Sequence, residues 1–135
     1  RQMCIRDSFH FGLVHNFGKI GGGFMWRLVD LEAAFARRSI QSVDPFVLTF
    51  QITDPVLGDR MITIEFKDNR MSLLNDSVAN VMRVSIEHLT VLYAGVRRAT
   101  DLLWTGEINF EGDPALLTQL DLAWQTPPPF CWDFF

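Results

Sequence analysis

Residues 45–74 read PFVLTFQITDPVLGDRMITIEFKDNRMSLL. Phe46, Leu48, Phe50 and Ile52 alternate with Val47, Thr49, Gln51 and Thr53. That period of two, carried by β-branched and aromatic residues, is the signature of a pleated strand with one buried face. PVLGDR then turns the chain, and Met61, Thr63 and Glu65 alternate with Ile62, Ile64 and Phe66 up to Lys67. Asp68-Asn69 supplies a hairpin-like turn into RMSLLND. Three consecutive antiparallel strands follow from this run.

Reading outward from that meander, Phe24–Asp30 (FMWRLVD) is a short apolar run suited to a buried strand. Asp30 caps the helix LEAAFARR, in which Leu31, Ala34, Phe35 and Arg38 fall three and four residues apart. Val78–Val84 suits a further strand. Ser85 then caps IEHLTVLYAG, with Val84 and Leu89 placed as a hydrophobic staple and Gly95 as the stop. RRATDLLW forms another short helix ending at Gly106, and Ile108 and Phe110 mark a last strand. Asp113-Pro114 opens a helix whose buried face is Leu116, Leu117, Leu120 and Trp124, and Pro127 to Pro129 break it. Strand, helix, several strands and then helices with one returning strand spell an α+β fold of about five strands, mostly antiparallel and covered by helices.

The chain has 135 residues, 48% hydrophobic and 21% charged, which fits one domain with a substantial core. No apolar run reaches the ~20 residues that a bilayer span needs. Twelve basic against sixteen acidic residues, a net charge of −4, argues against nucleic-acid binding through phosphate contacts. Two cysteines, Cys4 and Cys131, make neither a disulfide framework nor a metal site, and a reducing cytoplasmic setting is expected. Arg1–Ser8 (RQMCIRDS) looks like a translated sequencing adapter and is set apart from the fold as an artefact. Residues 9–23, rich in glycine, are expected to be a linker, and 24–135 the folded domain.

The order of WRLVDLEAAFARR (26–38), IEHLTVLYAG (86–95) and an amphipathic helix running into PPPFCWDFF (127–135) resembles one known domain. It is the C-terminal domain of GNAT acetyltransferases of the enhanced-intracellular-survival type, and the resemblance covers about Phe24–Phe135. It implies a sterol-carrier-protein-like fold and a parent enzyme that moves an acetyl group from acetyl-CoA to an amine. The acetyltransferase domains would lie upstream in the same chain, so this piece alone would be inactive and hold no cofactor. Gly18-Lys19-Ile20-Gly21-Gly22-Gly23 matches neither a CoA pyrophosphate loop nor a P-loop. The parent is expected to be a homo-oligomer.

Carried onto this chain, the resemblance makes Phe135 the catalytic residue: its free α-carboxylate would accept the proton of the attacking amine. Trp132, Asp133 and Phe134 are the expected acceptor-binding residues, with Asp133 as the anion that holds the amine. The competing expectation is that Phe130, Trp132, Phe134 and Phe135 only staple the tail to the core. Tyr93, the one tyrosine, is expected to pack, and His88 to sit at the surface or in a cap. His10 and His15 have no metal-ligand spacing, Cys131 is expected to be buried, and no metal is expected. Of four tryptophans, Trp26, Trp104 and Trp124 are expected in the core and Trp132 at the pocket. Two other functions stay open. One is a lipid or hydrophobic-ligand carrier, recognised by a continuous apolar cavity; the other is a module that mainly builds oligomer contacts.

Overall fold

The computed structural model describes residues 27–76 and 78–127. Their elements are α1 (Leu31–Arg37), β1 (Phe46–Thr53), β2 (Arg60–Lys67), β3 (Arg70–Leu74), β4 (Val81–Ser85), α2 (Ile86–Tyr93), α3 (Ala99–Trp104), β5 (Asn109–Glu111) and α4 (Ala115–Ala123). The strands form one sheet in the order β3-β2-β1-β4-β5. Every neighbouring pair is antiparallel except β1 and β4, which run parallel with Thr49 opposite Val81. The fold is thus α+β with a five-stranded, mostly antiparallel open sheet, as the alternation along residues 45–74 implies.

Each element has a local cause. Asp30 lies in an extended conformation and its Oδ1 accepts the Ala33 N–H at 2.9 Å, so it is the N-cap of α1. Seven residues are too few for a helix to persist alone; α1 is held because Leu31 and Phe35, one turn apart, are buried. Asp68 and Asn69 both take positive φ, 51° and 61°, the type I′ geometry that matches strand twist in a two-residue hairpin. Lys67 therefore faces Arg70, and the register Phe66 to Met71 and Ile64 to Leu73 follows. Ser85 Oγ accepts the His88 N–H and starts α2. Gly95, at φ 71°, ends that helical segment.

The core lies between one face of the sheet and the helices. Phe46, Leu48, Phe50 and Ile52 of β1 face it, with Ile64 and Phe66 of β2. Trp124, only 2% exposed, stacks on Phe35 (centroids 6.1 Å, planes 12° apart) and on Phe50 (5.8 Å, 17°). Its indole N–H donates to Met71 Sδ at 3.2 Å. On the opposite face the Thr49 and Thr63 hydroxyls, directly across from each other, satisfy one another at 3.0 Å.

Four expectations need correction. Arg27–Asp30 form no strand: the Leu28 N–H goes to Thr90 Oγ1 (3.2 Å) and the Arg27 guanidinium to Asp54, so side chains take the place of a ladder. β4 starts at Val81, because the Val78 N–H is spent on Thr49 Oγ1. Arg97 and Arg98 precede α3 rather than opening it. The Asp121 carboxylate, reaching across from α4, accepts the Ala99 and Thr100 N–H groups and fixes the helix start there. Trp104 is not a core residue; at the last position of α3 it is 91% exposed, and Leu102 is the side chain that points inward.

Candidate functional site

The expected site residues Phe135, Trp132, Asp133 and Phe134 lie outside the described residues, as do Cys4, Cys131, His10, His15, Trp26, the adapter-like segment and the glycine-rich run. What the structure describes is the base from which that C-terminal segment departs. Trp124, the C-cap of α4, sits in the centre of the aromatic layer, and three contacts hold the chain from Ala123 to Thr126. Arg38 Nη2 donates to the Trp124 carbonyl at 3.1 Å, the Gln41 N–H to the Ala123 carbonyl at 3.0 Å, and Thr126 Oγ1 to the Ala94 carbonyl at 3.3 Å. Gly95 permits the crossing. A Cβ at that position would stand 2.5 Å from Thr126 Oγ1 and 2.9 Å from the Trp124 carbonyl oxygen.

Beside this crossing runs a groove of about 460 Å³ between α1 and α2, bordered by Leu28, Ala34, Arg38, Tyr93, Ala94 and Pro127. Arg38 is half-buried, with its guanidinium carbon 4.6 Å from the centroid of the Tyr93 ring and 5.9 Å from that of Trp124. Cation–π attraction of this kind offsets part of the desolvation cost. Burial still pulls the Arg38 pKa below its ordinary value, against a smaller opposing effect of Tyr93. Burial likewise raises the Tyr93 phenol, and its hydroxyl donates to the Ala34 carbonyl at 2.8 Å. Tyr93 is therefore a packing and bracing residue in this fold.

At one end of the groove Arg27 Nη2 reaches both carboxylate oxygens of Asp54, at 2.6 and 2.8 Å. Asp54 is buried because it also organises the β1–β2 turn, accepting the Val56 and Leu57 N–H groups on Oδ1. Those bonds, the Leu57 N–H foremost and Arg27 besides, hold its carboxyl below the usual range. A second polar cluster ties α2 to the α3–β5 connection. His88 Nε2 lies 3.1 Å from Glu107, His88 Nδ1 3.2 Å from Ser85 Oγ, and Arg97 is paired to the same Glu107. Arg97 keeps Glu107 ionised to lower pH than a free glutamate. Ser85 Oγ is the cap of α2, so the cluster is a strut rather than a nucleophile with its base.

Sequence reasoning missed Arg38 and the Arg27–Asp54 pair. A signal existed for each: Arg38 is a charge in sequence phase with the apolar stripe of α1, just past its end, and Asp54-Pro55 is a turn-initiating pair. No group of three metal-ligating side chains occurs among the described residues, and no helix among them is long and apolar enough to cross a membrane. The chemistry available here is positional. A half-buried cation, two aromatic rings and one glycine fix where the chain leaves the core.

A sheet of this topology with the four helices of the described residues defines a sterol-carrier-like α+β domain. The chain belongs to the sterol carrier protein domain family, whose pattern matches residues 31–132. Among solved structures it is similar to a GCN5-related N-acetyltransferase from Kribbella flavida, with 26% identity and a TM-score of 0.66. It is also similar to Eis1 from Mycobacterium abscessus (24%, 0.64) and to a probable N-acyltransferase from Enterococcus faecalis (20%, 0.69). Each likeness covers 81% of this chain but only 29%, 27% and 28% of the respective neighbour, so the chain spans less than a third of their length. No curated protein matches the chain.

Proposed function

We propose that the chain is the C-terminal module of a GNAT-type N-acetyltransferase of the enhanced-intracellular-survival type, transferring acetyl from acetyl-CoA to an amine. The Phe135 α-carboxylate is the general base, and Trp132, Asp133 and Phe134 line the acceptor pocket. Upstream domains of the same chain hold the cofactor, and the module alone is inactive. The observation that carries this is the fixed departure point at Trp124–Pro127, taken with the 26% likeness to the Kribbella flavida acetyltransferase. Eight residues beyond Pro127 can extend at most about 26–29 Å, enough to cross to a neighbouring domain from a rigid base.

The chemistry asks for such a base. The acceptor nitrogen attacks the thioester carbonyl, its proton passes to the carboxylate, and the thiolate of CoA leaves. A free α-carboxyl has a pKa of about 3.3–3.7, too low to be an effective base until desolvation raises it. Four aromatic residues among Phe130–Phe135 are suited to that desolvation. The carrier alternative is less well supported, because Phe35, Phe50, Phe66 and Trp124 are buried and packed against one another between sheet and helices.

The test uses the parent enzyme with its upstream domains. Deleting Phe135 is expected to lower kcat/KM by about 10²–10⁴-fold with an unchanged melting temperature. Phe135→Ala, which keeps a carboxylate at the same position, should retain most of the rate. Full turnover in the deletion variant refutes the assignment.

A further inference from the structure

The two edges of the sheet are built differently. β5 has three residues and runs straight into Gly112, whose φ of 142° turns the chain away, so little edge is left to pair. β3 is longer and less protected. Between Arg70 and Asp76 it reads Met-Ser-Leu-Leu-Asn, with no charge and no proline, and Leu73 and Leu74 are 38% and 39% exposed on opposite faces. The two-residue hairpin makes Lys67 and Arg70 a hydrogen-bonded pair. Alternation then turns the N–H and C=O of Met71 and Leu73 outward, and neither has a backbone partner among the described residues.

We propose that the β3 edge pairs antiparallel with the β3 edge of a second copy of this chain, the two-fold axis passing through Leu73. Of the two-fold centres within Met71–Leu74, two set charged residues against each other. Centring on Ser72 opposes Asp68 to Asp76 on both sides, a like-charge clash. Centring on Leu73 opposes Arg70 to Asp76 on both sides, stacks Leu73 on Leu73, and pairs Met71 with Asn75. Opposite charges directly across a strand pair are favourable, and like charges are unfavourable. The self-complementary spacing of Arg70 and Asp76 therefore selects both the partner and the register. Asn75 and Asp76 lie in the bend just past the strand and are exposed, so they can align without disturbing the core. The contact is small, well under the ~1,200 Å² of stable interfaces, and gives a weak, concentration-dependent dimer.

Sedimentation equilibrium on the 135-residue chain, up to about 1 mM, tests this over the range of weak affinities. The mass is expected to rise above 15.5 kDa toward twice that value. Leu73→Pro removes an outward N–H and leaves the bonds to β2 intact, so it should stay folded and monomeric. Arg70→Asp and Asp76→Arg should each weaken the dimer at least about tenfold, and the double reversal should restore it. A monomer at every concentration overturns the proposal, as does a dimer that persists in Leu73→Pro and in both single reversals. Failure of the double reversal to restore pairing overturns the Leu73-centred register. None of these outcomes depends on the proposed acetyl transfer.

Discussion

Replacing Trp124 with alanine removes the ring on which the helical layer and the sheet meet. The indole packs against both Phe35 and Phe50, which also touch each other, lies 5.9 and 6.1 Å from the Phe66 and Tyr93 rings, and donates to Met71. Truncating a buried aromatic of this size costs about 3–5 kcal/mol, because the transfer energy is lost and the surrounding rings cannot fully collapse. A domain of about 100 residues has roughly 5–15 kcal/mol in total, so the variant forfeits about a fifth or more of its stability. With a urea slope of about 1.5–2 kcal/mol/M, a loss of ~4 kcal/mol moves the midpoint down by about 2–3 M. Trp124→Phe keeps the stacking and gives up the N–H to sulfur contact and some volume, for about 1–2 kcal/mol. Far-UV circular dichroism is the assay, since fluorescence would report the substitution itself. A loss below about 1 kcal/mol for Trp124→Ala would refute the view that this ring closes the core.

Two further outcomes follow from the backbone and from the buried carboxylate. Gly95→Ala should cost clearly more than Gly58→Ala. Both sites have positive φ, worth about 1–2 kcal/mol for a side chain, but only at Gly95 does the new Cβ meet Thr126 and Trp124; at Gly58 nothing lies within 4 Å. Equal denaturation midpoints for the two variants would refute the crowded crossing. Asp54 has a lowered pKa in the fold, so its contribution is complete above its unfolded pKa of about 4 and disappears as pH falls through the lower folded value. Thermal melts of Asp54→Asn from pH 7 to pH 2 should therefore show a lower Tm than the parent chain near neutrality and a gap that narrows in acid. A gap constant with pH counts against the linkage.

The fold was legible where its causes are local. Alternation in residues 45–74 marks β1 to β3, Asp30 and Ser85 announce their helices, and Gly95 ends one. It was illegible where distant side chains decide. Arg27–Asp30 read as strand from their apolar run, but Asp54 and Thr90 take over their polar groups. The start of α3 is fixed by Asp121, some twenty positions further on, and nothing around Arg97 and Arg98 signals it. Trp104 carries the same hydrophobicity as Trp124, and only the phase of a six-residue helix, too short to show a period, turns it outward. Of the candidate site, the terminal residues were named from a family resemblance and lie beyond Pro127, whereas the groove that braces their departure rests on Arg38, whose role needs Trp124 as a distant partner.

The placement of Trp124 also sets a timetable for the growing polypeptide. Phe35, Phe50 and Phe66 are translated well before the ring that covers them, and at about 5–20 residues per second Phe66 waits roughly 3–12 s for Trp124 to be made. During that interval only α1 is available to cover the greasy face of the meander, and such a nascent species is the kind that chaperones bind. Codon choice between β3 and α4 thus bears directly on how long the newborn chain stays open to aggregation.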